Sequence, residues 1–125
     1  MPPRMVGTVL ADRTLIVEDG SGRRMVRVLI GSPGPIPGST DCFCPYQILG
    51  LTDDAVRYAE GVDGAQALYL ALEAIGTELL ATPQARAGQL RWRGKRTLGF
   101  PSREQRVKLH LVSSDSGVST VPRGQ

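Results

Sequence analysis

A basic segment in the last third of the chain holds the side chains best suited to an anionic partner. Residues 84–108 contain eight basic residues and one acidic residue, whereas residues 1–83 have a net charge of −4. Two aromatic residues, Trp92 and Phe100, lie among the cations. Cations interleaved with aromatic rings suit nucleic-acid phosphates and unstacked bases. The candidate partner-binding residues are Arg91, Trp92, Arg93, Lys95, Arg96, Arg103, Arg106 and Lys108.

The same segment has a plainer interpretation. A block of like charges often only keeps a chain region solvated, and the two aromatic rings fit packing against a core. No helix-turn-helix, zinc finger or RNP-like motif accompanies the cations, so sequence-specific reading of nucleic acid is not expected.

Cys42 and Cys44 are the next candidates for chemistry, because thiols two residues apart on a strand point the same way. Structural zinc almost always takes four ligands, and the only histidine, His110, is distant in sequence. We therefore expect no metal and no cofactor. Turn formation accounts for the acidic pair Asp53 and Asp54. With no catalytic constellation in view, the protein is expected not to be an enzyme.

One helix dominates the predicted structure. Apolar residues recur at helical spacing over residues 62–82, with Asp63 as N-cap, Gln66 three residues later and Pro83 at the end. The predicted apolar stripe contains Leu68, Leu72, Ile75 and Leu79, with Ala65, Ala71 and Ala74 alongside.

Alternating and turn-forming residues predict two β-hairpins before this helix. The first spans residues 9–31 and turns at 19–22, and the second spans 42–61 and turns at 50–54. Residues 31–41 are rich in proline and glycine and predict a loop. We expect an α+β fold: an antiparallel sheet of about four strands, with one long amphipathic helix across one face and the other face partly uncovered.

The region after the helix predicts smaller elements. Residues 90–92 and 97–100 are expected to form a small C-terminal hairpin whose Trp92 and Phe100 pack on the core, and residues 107–111 an edge strand. We expect one domain over residues 1–101, then an extension over 102–125 that is basic, later Ser/Gly-rich and partly disordered. No apolar run reaches the roughly 18 residues that a membrane helix needs, and no signal peptide is visible, so a cytoplasmic protein is expected.

Several short runs resemble a known family. They are Cys44-Pro45-Tyr46-Gln47-Ile48, Arg57 to Asp63, Gln66-Ala67-Leu68 and Leu98-Gly99-Phe100-Pro101. Over residues 9–101 the chain is similar to a family of short uncharacterised bacterial proteins classed as a domain of unknown function. The resemblance implies a single domain of bacterial or phage origin, and it implies no activity or catalytic residues.

These observations favour a small non-enzymatic interaction module, similar in kind to inhibitors, immunity proteins or adaptors. Its expected partner is another protein, bound through the uncovered sheet face, the proline- and glycine-rich loop over residues 31–41 or the small hairpin within the basic segment. A dimer is compatible with the sequence. The alternative is a nucleic-acid-binding protein that uses residues 84–108 for non-specific backbone contacts.

Overall fold

A computed structural model describes residues 5–101, and these form one antiparallel sheet with two helices. In chain order the elements are β1 (Val9–Asp19), β2 (Gly22–Gly31), β3 (Gly34–Pro35), β4 (Cys42–Leu49), β5 (Val56–Gly61), α1 (Gly64–Leu80), α2 (Pro83–Arg86) and β6 (Leu90–Arg91).

The hairpin of β1 and β2 sets the two faces of the sheet. Alternate residues point to opposite faces of a strand. The inner face, which holds Leu15, Val17, Val26, Val28 and Ile30, is buried. The outer face carries Ile16 directly opposite Met25. The turn is stabilised at Asp19, whose carboxylate accepts hydrogen bonds from Ser21 and Arg24, and these bonds lower its pKa to about 2.

The second hairpin, β4 with β5, extends the same sheet. Cys44, Tyr46 and Ile48 of β4 are buried on the inner face, and β4 also pairs with β2. Two-residue strands complete the sheet, β3 beside β4 and β6 beside β1. Both predicted hairpins therefore form, and they share one sheet.

The predicted sheet of about four strands under a long helix across one face is wrong. The sheet has six strands, about 42% of residues 5–101 are in strands against 22% in helices, and α1 is a helix of 17 residues. Its close neighbours in the sheet are β4 and β5, so it lies toward one side of the sheet. The sequence did not reveal β3, because two residues are too few to show a period, whereas β6 falls within the strand predicted over residues 90–92.

The helix buries only part of the predicted stripe. Ala71, Ile75 and Leu79 are buried as predicted, whereas Leu68, Leu72 and Ala74 are half-buried against the core and Ala65 is exposed. Ala67 and Gly76 are buried without having been predicted, so the buried face is rotated toward Ala67. Close approach explains the rotation, because a Cβ at Gly61 of β5 would collide with the backbone of Ala67. Small residues thus face the sheet, and the leucines flank the contact.

The ends of α1 follow from its caps. The Asp63 carboxylate accepts a hydrogen bond from the Gln66 backbone N–H at 2.8 Å, and the Gln66 side chain accepts one from Val62 N–H at 2.8 Å. The predicted N-cap is therefore confirmed. At the other end Thr82 caps α2, which Pro83 begins.

The predicted C-terminal hairpin is also wrong. Leu90–Arg91 pairs with Ile16 and Val17 of β1, and only an isolated bridge joins Trp92 to Lys95. Residues 97–100 form no strand, because Gly99 has a positive φ of 80° and bends the backbone under the Trp92 ring. The predicted edge strand over 107–111 and the extension over 102–125 lie outside the described residues.

Candidate functional site

Arg13 joins the sheet to the basic segment. It lies on the inner face of β1 beyond the end of β6, where its guanidinium carbon is 3.9 Å from the ring centroid of Trp92 and 4.7 Å from that of Phe100. Its Nη1 also donates a hydrogen bond to the Leu98 carbonyl oxygen at 3.0 Å. Burial lowers the pKa of Arg13 from its ordinary value. We call Arg13, Trp92 and Phe100 the Arg13 stack.

Gly99 allows the Arg13 stack to close. A Cβ at this position would collide with the Trp92 ring and with Nη1 of Arg13. Its positive φ is also a conformation that side chains rarely adopt. The expectation that Trp92 and Phe100 pack on the core is confirmed, since both lie half-buried against it.

The structure separates the candidate cations of the basic segment into two groups. Arg91 is half-buried and donates hydrogen bonds to the carbonyl oxygens of Gly88 and Gly94, at 3.0 and 3.2 Å. Arg93, Lys95 and Arg96 are exposed around the turn. We call residues 91–96 the basic turn. The remaining candidates, Arg103, Arg106 and Lys108, lie outside the described residues.

A polar chain connects α1 to the sheet. The Tyr46 hydroxyl donates to the Glu78 carboxylate at 3.5 Å, and Arg57 lies 3.5 Å from the other Glu78 oxygen. Arg57 also forms a two-point pair with Asp53 at 2.9 and 3.0 Å, which lowers the pKa of Asp53 to about 2. Burial, together with the Glu78 charge, raises the pKa of Tyr46 to about 12. The Tyr46 phenol is therefore neutral at physiological pH, and its contact with Glu78 ties α1 to β4.

The two cysteines lie on the inner face of β4. Cys44 is buried, and its thiol donates to the Gly31 carbonyl oxygen at 3.4 Å. Burial raises the pKa of the Cys44 thiol, which disfavours the reactive thiolate. Cys42 is partly exposed. Within residues 5–101, no three histidine, cysteine or acidic side chains lie close enough together to hold a metal ion.

The outer face of the sheet carries an exposed apolar group. Met25 is 57% exposed in the body of β2, opposite the half-buried Ile16 of β1. On the other side of β2, Leu49 of β4 pairs with Arg27 and is therefore the diagonal neighbour of Met25. Beside them Arg27 pairs with Asp12 at 2.8 Å, and both side chains are about half exposed. We call Asp12, Ile16, Met25, Arg27 and Leu49 the outer patch.

The other end of the outer face is partly closed. Val6 packs over it, since a Cβ at Gly31 would collide with the Val6 carbonyl oxygen and the Pro45 ring. Phe43 and Tyr58 meet edge to face there, with ring centroids 6.1 Å apart. The outer patch lies in the part of this face that these contacts leave uncovered.

A groove separates the C-terminal half of α1 from the segment that follows the basic turn. Its volume is about 560 Å³. The main lining residues are Gly76, Leu80, Arg96, Leu98, Phe100 and Pro101. One wall, Phe100, is held by Arg13.

A family model matches residues 11–102, with the description Domain of unknown function (DUF6968). The chain belongs to this family. No curated protein and no solved structure matches the chain. The DUF6968 match includes the Arg13 stack, the basic turn, the outer patch and the groove, whereas Arg103, Arg106 and Lys108 lie beyond it. Across the described part of the chain, neither helix is long and apolar enough to cross a membrane.

The sequence patterns did not point to Arg13 and Met25 as candidate site residues of this DUF6968 domain. The signal for Arg13 was available, because it shares strand parity with the apolar Leu15 and Val17 and an arginine on a buried face requires a partner. The signal for Met25 was an apolar side chain on the polar face of its strand, since Met25 shares strand parity with the charged Arg27.

Proposed function

We propose that this domain binds another protein through the outer patch. The main support for this proposal is the exposure of Met25 in the body of β2, beside Ile16 and Leu49. Large apolar side chains grouped on an exposed sheet face are typical of interaction surfaces. Methionine is well suited to such a surface because its flexible thioether adapts to irregular partners.

Charge on the outer face favours a protein over a polyanion. On the outer face Glu18 lies directly opposite Arg23 in the strand register, and Asp12 forms an ion pair with Arg27, so the face carries both signs of charge. An exposed ion pair contributes little net free energy, so either member can exchange its partner. The expected partner surface is apolar at its centre and carries both signs of charge at its rim.

A capture experiment in extracts of the source cells tests this proposal. Met25→Arg places a charge in the outer patch, and Tyr69→Arg places one on the exposed side of α1 as a matched control. We expect Met25→Arg to reduce at least one captured protein about tenfold or more, while Tyr69→Arg captures it like the wild type. Equal capture by all three baits, with unchanged melting curves, would contradict the outer patch as the contact surface.

We also predict a more specific role, cellular location and origin for the domain. The domain is expected to act as an inhibitor, immunity-like protein or adaptor, in the cytoplasm of a bacterium or its phage. Their support is the chain's resemblance to a family of short bacterial proteins, which is an analogy at the level of the fold and family. Fractionation of the source cells tests the location, and the identity of the captured partner tests the role.

A second candidate function is non-specific nucleic-acid binding by the basic turn. Its support is the exposure of Arg93, Lys95 and Arg96 around one turn. Trp92 is less available for stacking on a nucleic-acid base than its sequence position indicates, because Arg13 already occupies one face of its ring. Base stacking is therefore expected to contribute little, and phosphate contacts most of the affinity.

Fluorescence anisotropy with single-stranded DNA, duplex DNA and RNA tests this candidate near physiological salt. The triple variant Arg93→Ser, Lys95→Ser, Arg96→Ser removes three charges at the turn, and Arg23→Ser, Arg24→Ser, Arg86→Ser removes three elsewhere. Loss of binding and of salt dependence only in the first variant supports the candidate. Equal loss in both variants, or no wild-type binding, contradicts it.

A further inference from the structure

The groove beside α1 combines an apolar lining with one charged side chain. Leu80 is 52% exposed on the helix side, and Leu98 and Phe100 line the opposite side. Arg96 is the charged lining residue, and within residues 5–101 it forms no ion pair. A cavity of about 560 Å³ lies within the range of roughly 300–1,000 Å³ typical of small-molecule sites.

Contacts on both sides hold the groove in shape. Gly76 lets the segment after the basic turn approach α1, because a Cβ there would lie 2.9 Å from the Pro101 carbonyl oxygen and 3.0 Å from Cβ of Phe100. Arg13 holds the Phe100 ring from behind. The Arg96 guanidinium lies over Gly88, where a Cβ would come within 2.8 Å of it. Each wall is therefore positioned without a ligand.

We propose that this groove binds a small carboxylic acid with an apolar body. The apolar part would lie between Leu80 and Leu98, and the carboxylate would pair with Arg96. Arginine is well matched to a carboxylate, since its planar guanidinium donates two parallel hydrogen bonds. An exposed arginine at the edge of an apolar groove provides that charge complement. The site is separate from the outer patch and goes beyond the proposed protein interaction.

Nuclear magnetic resonance titration of the full chain with decanoate tests the proposal, and decanamide serves as the uncharged control ligand. We expect decanoate to shift the amide resonances of Gly76, Leu80, Leu98 and Gly99, and decanamide to bind about tenfold more weakly or less well. Arg96→Gln should abolish the difference between the two ligands, whereas Arg93→Gln, on the same turn, should preserve it.

A second variant separates groove binding from general adsorption. Leu80→Ser should weaken both ligands, while Tyr69→Ser, an exposed apolar residue elsewhere on α1, should weaken neither. Equal binding of decanoate and decanamide to the wild type, shifts confined to other surfaces, or no saturation at millimolar decanoate would each overturn the proposal. None of these variants changes a residue of the outer patch. A negative result for ligand binding in the groove therefore does not bear on the proposed protein interaction, which has its own test.

Discussion

The guanidinium of Arg13 lies 3.9 Å from the centroid of the Trp92 ring. This contact joins the first strand of the sheet to the segment that follows the last one, across a separation of 79 residues. The same guanidinium also contacts Phe100 and the Leu98 carbonyl oxygen. One side chain thus fixes the basic turn and a wall of the groove.

Replacing Arg13 with alanine is expected to destabilise the domain by about 2–3 kcal/mol. The change removes two cation–π contacts and a charged hydrogen bond, each contributing on the order of 1 kcal/mol or more when partly desolvated. Urea unfolding measures the loss. Trp92 is the only tryptophan, so its fluorescence should shift to longer wavelength in the folded variant.

Arg24→Ala is the matched control for this change. Arg24 forms an exposed pair with Asp19, so its loss is expected to cost less than about 1 kcal/mol and to leave the fluorescence unchanged. An Arg13→Ala variant with wild-type stability and emission would show that the stack does not hold this segment.

Ile75 and Leu79 are the two large residues of α1 that are fully buried, and Ile75 is predicted to be far more sensitive to truncation than Leu72. It is fully buried, so Ile75→Ala should cost about 2–5 kcal/mol, whereas the half-buried Leu72 should lose less than about 2 kcal/mol as alanine. Chemical unfolding of the two variants gives the comparison. A larger loss at Leu72 would mean that the helix is rotated so that Leu72, and not Ile75, faces the sheet.

Tyr46 should make stability fall at alkaline pH. Its pKa is about 12 in the folded protein against an ordinary value of 10, because burial and the Glu78 charge disfavour the phenolate. The folded state therefore holds the phenol proton more tightly than the unfolded state does. The resulting contribution of Tyr46 to the free energy of unfolding is complete below pH 10 and is lost between pH 10 and 12.

Unfolding of Tyr46→Phe at pH 8, 10 and 11.5 measures this contribution. The variant should lose less stability than the wild type across the upper interval, because it has no phenol to ionise. Tyr69→Phe, on the exposed side of α1, is expected to follow the wild type. Identical pH dependence of Tyr46→Phe and wild type would refute the buried phenol.

The parts of the fold set by local sequence were predictable. Asp63 and Gln66 marked the start of the helix, and the turn at Asp19 marked the first hairpin. The rotation of α1 was not predictable from its leucines, because it depends on contact between Gly61 and Ala67 in different elements. Likewise the partner of β6 was not predictable, because it pairs with Ile16 and Val17 of β1, which are distant in sequence.

The candidate site was predictable only in part. Charge counting located the basic turn, yet it gave Arg91 and Arg93 equal weight, although Arg91 is bonded to backbone carbonyls and Arg93 is exposed. The role of Arg13 required knowledge of which segment covers β1. Such long-range contacts leave no local period in the sequence.

Photo-crosslinking from position 25 tests the proposed protein interaction most directly. A photoreactive amino acid replaces Met25 in one form of the full chain and Tyr69 in another, and both are irradiated in the source cells. The proposal predicts a discrete cross-linked protein from position 25, absent from position 69 and reduced when Arg27→Glu is added. A cross-link between two copies would identify the partner as the chain itself. No cross-linked protein from position 25, or the same products from both positions, would contradict the outer patch as the binding surface.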